Sequence, residues 1–396
     1  MSPGCEDNVF PLQIRVHYSI CVPEGPVHSI AFMPSGGYDE SINRLGLLAV
    51  GSISGTVIYA LPLCLKNENG HTNKQRDVIV LQPVLTLSLD IDNPVQDACT
   101  KICWSESSGH GLIVSGYVSG NVAFYDISDD QGLNYMERNN QRYCVPAHFF
   151  YFGERNIYHL ELHYDTNGVR WLVIGTTVRK LWVYDVANLS QPMPIIGDTV
   201  CNLYLGCLAW SPLWETLVIG CTEVYKAQFP RLLTLNPSGM NFSHATFDIT
   251  LSSSRSVHFN WEHLTLVAVT DNGDVDFLFC DQLNLLQRRS RDCRVASTMD
   301  VRCLNGSAES NLVTPEEFKQ DYGLILKPLT RIAQKKKKST YLNIKRLPNL
   351  DLVSLMRLNC VRWNWNAEAR NWVAVGAEHG LLRIINFVAD KKFKYF

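Results

Sequence analysis

The histidines of "HLELH", His159 and His163, stand four residues apart on one face of an extended segment, a spacing that could begin a zinc site. Zinc needs three or four clustered ligands, and neither a Cys-x-x-Cys nor a His-Glu-x-x-His accompanies them, so ordinary packing is the expected role. Cys99 and Cys103 share parity in the same way, again without a paired knuckle. The acids of "TDNGDVD", Asp271, Asp274 and Asp276, have the look of a calcium loop, but the closing Glu is missing and the flanks read as strands. No Gly-x-Ser-x-Gly elbow appears, and the glycines of "SGYVSG" lie in a strand hairpin rather than before a helix. The expectation is a chain without catalytic, metal or cofactor residues.

The strongest local charge is "AQKKKKSTYLNIKR". Residues 283–350 hold 14 Lys plus Arg against 6 Asp plus Glu, whereas the rest of the chain holds the remaining 22 and 32. Lys335, Lys336, Lys337 and Lys338, with Lys345 and Arg346, fit three roles: a solvated loop, a nuclear-import signal, or a contact to phosphates or an acidic partner. Arg288, Arg289, Arg291 and Arg294 could join such a patch. The whole chain is nearly balanced, at a formal charge of −2, so nothing in the total points to nucleic acid.

The elements that must carry these residues repeat. "LLAVGSISGTVIYALP" (residues 47–62), "LIVSGYVSGNVAFYDIS" (112–128), "WLVIGTTVRKLWVYDV" (171–186), "LTLVAVTDNGDVDFLFCD" (264–281) and "WVAVGAEHGLLRIINF" (372–387) each read as strand, tight turn, strand, with "TLVIGCTE" as a sixth first half. A further short strand precedes nearly every copy: "VHSIAF", "CTKICW", "IYHLEL", "LGCLAW", "SVHFNW" and "LNCVRW". Trp104, Trp210, Trp261 and Trp363 fall near the ends of these strands and read as core. Trp214 and Trp365 stand outside that register and are candidate partner anchors. Fourth strands are expected in "VLTLSLD" and "YCVPAHFF".

No amphipathic helix joins the strands, which excludes a parallel α/β fold, and repeating four-stranded antiparallel units are the signature of a β-propeller. The prediction is all-β, with residues 1–10 disordered, a propeller over 11–390 and the basic interval 283–350 inserted between its last two blades. Six blades are visible. "LQIRVHYSI" is a lone N-terminal strand, either closing the ring on the last sheet or left from a blade whose other strands are absent. Thirteen dispersed cysteines, many inside apolar strands, read as buried thiols of a reducing compartment, and the chain shows neither a leader nor a membrane-length apolar run.

The pattern resembles a degenerate WD-repeat class: Ala147-His148 replaces Gly-His before one blade, and Asp126 and Asp185 follow tyrosine rather than tryptophan. Three segments resemble more closely the C-terminal propeller of the second-largest-subunit family of general transcription factor IIIC. They are "EGPVHSIAFMPSGGYDE" (24–40), "RLGLLAVGSISGTVIYALP" (44–62) and "VRWNWNAEARNWVAVGAEHGLLRIINFV" (361–388). That resemblance implies a seven-bladed ring in complete members and a nuclear, non-catalytic scaffold. Such a subunit pairs with the largest DNA-binding subunit, meets promoter DNA of tRNA-type genes mainly through the complex, and supports RNA polymerase III initiation. A WD-type scaffold of another nuclear complex, such as a ubiquitin-ligase adaptor or chromatin reader, predicts the same fold with other partners. A propeller hydrolase would need acids and histidines gathered at the channel mouth, and no such cluster is visible along the chain.

Overall fold

The computed structural model describes the greater part of residues 13–388. Residues 1–12, 65–77, 91–96, 105–110, 128–134, 223–230, 236–241, 244–253, 280–293, 304–321, 329–356 and 389–396, with some shorter turns, lie outside the described residues. The N-terminal residues 1–10 and Lys335 to Lys338, Lys345 and Arg346 of the basic interval are therefore outside them.

The described strands form six antiparallel-cored sheets in chain order. Sheet 1 begins with Ser29–Phe32, Arg44–Ser52, Gly55–Pro62 and Leu85–Leu87, and sheet 2 holds Cys99–Trp104, Leu112–Tyr117, Asn121–Asp126 and His148–Tyr151. Sheet 3 holds His159–Tyr164, Arg170–Gly175, Lys180–Asp185 and Met193–Val200; sheet 4 holds Tyr204–Ser211, Thr216–Thr222, Arg231–Leu235 and Phe242–Ser243. Sheet 5 runs Ser254–Asn260, Thr265–Thr270, Val275–Phe279, Arg294–Cys303 and Tyr322–Pro328, so part of the predicted basic insertion supplies strands to it. Sheet 6 begins with Leu358–Trp363, Trp372–Ala377 and Leu381–Val388.

The first strand of each sheet lies against the first strand of the next, and that of sheet 6 against that of sheet 1. This closed cycle is the β-propeller arrangement, with the first strands around a central channel. The lone N-terminal strand, Gln13–Cys21, pairs antiparallel with Leu381–Val388 and so becomes the fourth strand of sheet 6. Its Tyr18 hydroxyl crosses to sheet 1 and donates to the Pro62 carbonyl at 2.7 Å.

Two connections leave their own sheets. Val78–Val80, from within sheet 1, pairs parallel with the N-terminal strand in sheet 6. Tyr135–Arg138 and Gln141–Cys144, from within sheet 2, extend the edge of sheet 1. "YCVPAHFF" is accordingly two strands in two sheets. Pro146, which has no N–H and restricts Val145 before it, separates them.

Because every sheet is covered on both faces, its second strand is apolar without alternation. Leu112–Tyr117 and Trp372–Ala377 are buried at all six positions, whereas His148–Tyr151 at the rim is mostly exposed. The core is thus a series of layers between sheets. One, between sheets 6 and 1, packs Tyr18, Ile20 and Ile384 on Ile30, Leu48 and Val50.

The repeat carries two glycines four residues apart, each for a different reason. Gly55 and Gly120, at φ +111° and +89°, turn the hairpin in the left-handed region that side chains avoid. The earlier glycine is where the next sheet approaches. A Cβ on Gly116 would stand 2.6 Å from Ile157 Cγ2, and one on Gly376 would stand 2.5 Å from Val27 Cγ1 and 2.6 Å from Cys360 Sγ. Gly376→Ala is expected to lower stability by about 1–3 kcal/mol through overpacking of the seam between sheets 6 and 1. Urea unfolding checks this, and an unchanged midpoint would contradict it.

Candidate functional site

The inner edge of a propeller sheet is its first strand, whose channel-side N–H and C=O groups have no strand partner. Polar side chains of neighbouring sheets supply the missing bonds at matching register. His28 Nδ1–H donates to the Cys99 carbonyl at 3.2 Å, Thr100 Oγ1–H to that of Ile157, and Asn359 Nδ2–H to that of Val27 at 3.2 Å. Beyond these, the Ile102 N–H donates to Ser29 Oγ at 2.9 Å and the Val361 N–H to Ser256 Oγ at 3.3 Å.

Where the first strands end, sheets 6 and 1 are sewn by Asn364 and Asn366, both buried. Asn366 Nδ2 donates to the Met33 carbonyl at 2.9 Å and to Asn364 Oδ1 at 2.7 Å, and its Oδ1 accepts the Gly37 N–H at 3.3 Å. Asn364 Nδ2 donates to the Leu45 carbonyl at 3.1 Å. The 3₁₀ turn Ala367–Ala369 follows at once.

Beside this seam the register of each first strand against its second places one residue per sheet at the same height. These are Ala31 (opposite Ala49), Cys103 (Val114), Glu161 (Val173), Ala209 (Val218), His258 (Val267) and Arg362 (Ala374). Five of them, with Phe32, Trp104 and Trp365, line a cavity of about 40 Å³ at this end of the channel. Across it Arg362 Nη2 meets Glu161 Oε1 at 3.0 Å, joining sheet 6 to sheet 3, with both side chains nearly nine-tenths buried. Arg362 Nη1 also donates to the Val257 and Val361 carbonyls. Burial raises the Glu161 carboxyl above its usual range, against the pull of Arg362 and Lys101. Desolvation of both charges offsets most of their attraction, but loss of one partner alone leaves an uncompensated charge at a cost of about 3–5 kcal/mol.

His258 completes the layer. Its Nδ1 accepts the Trp363 N–H at 3.1 Å, and its ring stacks on Trp365 with centroids 5.1 Å apart at 29°. Burial, then Arg362, hold the imidazole well below its usual value, so it is neutral at pH 7. An acid and a histidine therefore do meet at the channel mouth, which the sequence reading missed. Glu161 is engaged by Arg362, and the His258 Nδ1 lone pair by a backbone amide.

Of the residues the sequence singled out, Trp365 is half-buried against His258, and Trp104 and Trp363 are buried where predicted. In sheet 5, Phe259 rather than Trp261 holds the corresponding register, opposite Leu266. Trp214, Trp261, Lys335 to Lys338, Lys345 and Arg346 lie outside the described residues. His159 is buried, and no group of three metal-ligating side chains occurs among the described residues. None of the described cysteines forms a disulfide; burial pushes the Cys99 and Cys360 thiols up to about 12. Nor, among the described residues, is any helix long and apolar enough to cross a membrane.

No protein-family model matches the sequence, and no curated protein matches it. Similar solved structures include a chain of the mitotic checkpoint complex, at TM-score 0.47 and 10% identity over 98% of this chain and 95% of that one. Another is the β-propeller domain of Myceliophteria thermophila Cps50 (Swd1), at TM-score 0.47 and 11% identity over 95% of this chain and 99% of that one.

The His258 geometry fixes a pH dependence. With the folded value depressed below 6.5, the unfolded chain binds the extra proton first, so this group's stabilisation is complete above about pH 7 and falls as the medium is acidified. Glu161, with its value raised, acts in the opposite sense at lower pH. His258→Asn keeps an acceptor for the Trp363 N–H but removes the titration. The wild type is expected to lose stability between pH 7 and 5 more steeply than the variant, by up to ~1.4 kcal/mol per pH unit. Parallel profiles in denaturant titrations would contradict this.

Proposed function

We propose that this chain is a non-catalytic six-bladed propeller scaffold of the general transcription factor IIIC complex. Its role is to support promoter recognition at tRNA-type genes, and hence RNA polymerase III initiation, through protein contacts in the nucleus. The observation that carries the reading is spatial. Of the three segments that resemble the factor IIIC family, two are neighbours in the chain (24–40 and 44–62) and the third (361–388) lies about 300 residues later, yet it forms one contiguous seam with them. Asn366 reaches Met33 and Gly37, Asn364 reaches Leu45, and the Val27 N–H donates to the Ala377 carbonyl at 3.1 Å. Residues that must fit one another across a seam are constrained as a set, so a likeness shared by all three is one coherent feature rather than three separate strings.

The scaffold role follows from what the ring offers. At the channel Asn359, Arg362 and Asn366 join sheets to one another, and the rim exposes large apolar side chains, including Phe149 and Tyr151 on the outer strand of sheet 2. Such side chains serve protein contacts. In this reading the basic residues Lys335 to Lys338, Lys345 and Arg346 serve nuclear import or a phosphate contact that positions the complex without reading sequence.

Affinity purification of the tagged chain from nuclear extract at moderate salt, followed by mass spectrometry, tests the proposal. Near-stoichiometric recovery of the largest factor IIIC subunit is the expected result. A ubiquitin-ligase or chromatin complex without any factor IIIC subunit would contradict it and favour the other scaffold class.

A further inference from the structure

We propose that the outer strand of sheet 2, His148–Tyr151, pairs antiparallel with the same strand of a second copy of this chain, about a twofold axis at Phe150. The inference goes beyond the scaffold reading and does not depend on which complex the ring serves.

The outer edge of this sheet is open. His148–Tyr151 pairs with Asn121–Asp126 on one side and is the last strand of its sheet. No described strand or side chain takes up its outward N–H and C=O groups, which are left to build a ladder with another chain. The other five sheets end in ways that discourage such pairing. The outermost strand of sheet 1 carries Glu137 and Arg138, and that of sheet 5 carries Lys327 and ends on Pro328. In sheet 3 the outermost strand holds Pro194 and Asp198 and breaks register twice. Those of sheets 4 and 6 have only two and three residues. His148–Tyr151 has no carboxylate, lysine, arginine, proline or register break. An edge without these devices is a template for a further strand.

Its two faces differ. Phe150 stacks on Phe124 with centroids 6.0 Å apart, and Phe152 just beyond it meets Trp182 edge-on at 4.8 Å, so the strand is held in place by sheets 2 and 3. Phe149 and Tyr151 point to the opposite face and are 67% and 61% exposed.

Register selects the second copy as the occupant. A twofold axis perpendicular to a sheet keeps every residue on its own face, so residues opposed across the axis must share a face. Centred on Phe150, this rule sets Phe149 of each copy opposite Tyr151 of the other. Both exposed rings then gain an aromatic cross-strand partner, a stabilising kind of pair, and neither meets a charge. Moving the axis to Phe149 leaves Tyr151 opposite Ala147, and moving it to Tyr151 leaves Phe149 opposite Gly153. The strand thus carries its own complement, at the spacing the pairing requires. A short strand pair is small beside the roughly 1,200–2,000 Å² of a stable interface, so the dimer is reversible and micromolar.

Sedimentation equilibrium of the whole chain over a micromolar concentration series tests this. Wild type is expected to fit a monomer–dimer equilibrium that closes at two. Phe149→Lys, at an exposed position, is expected to weaken association about tenfold or more with the unfolding midpoint unchanged. Phe149→Lys combined with Tyr151→Glu is expected to restore it, because the introduced cation of each copy then faces the introduced anion of the other. A wild type that stays monomeric throughout would overturn the proposal, as would association that continues past the dimer or is indifferent to Phe149→Lys. A double variant as weak as the single one would overturn the pairing about Phe150. Each of these outcomes leaves the factor IIIC reading standing, since co-purification of other subunits does not require a second copy.

Discussion

The fold depends on the hydrogen bonds that side chains of one first strand make to the backbone of the next. A radial sheet has a bare inner edge, and such edges around a channel present rows of N–H and C=O groups that have no strand partner. His28, Thr100 and Asn359, one register step apart from Ser29 and Ser256, supply these partners at successive seams. Each bond contributes only about 0.5–1.5 kcal/mol net, yet an unmet buried group would cost more, so lacing is a condition of closing the ring. Apolar layers between sheets provide the bulk of the stabilisation, and the laced edge decides which sheet stands next to which.

The channel mouth follows from the same register. Placing one residue per sheet at one height brings Glu161, His258 and Arg362 together although about a hundred residues separate each from the next. The Glu161–Arg362 pair spans the opening, and a buried pair of this kind ties geometry more than it adds stability.

Much of the ring could be read along the chain, because each sheet repeats its own local chemistry. The glycine hairpins, the unbroken apolar second strands and the short polar-apolar first strands all reflect neighbours on both faces. The partner of the N-terminal strand stayed open until its pairing with Leu381–Val388 was seen. Less visible were departures that depend on distant segments. "YCVPAHFF" divides between two sheets, Val78–Val80 crosses to sheet 6, and Phe259 takes the place in register that Trp261 was read to hold. The site was hidden for the same reason. Glu161 sat between two histidines that drew attention as possible ligands, and neither His258 nor Arg362 belongs to any local motif. Aligning the first strands by their pairing to the following glycine-bearing strand would have exposed the layer.

Amide hydrogen exchange at the laced positions tests the central claim most directly. If the ring is closed by these bonds, the amides of Ile102, Val361 and Trp363 exchange only through global unfolding, with protection equal to that of the buried second strands. Fast exchange at these three amides, with the second strands still protected, would show that the first strands open independently and that the sheets are held by apolar packing alone.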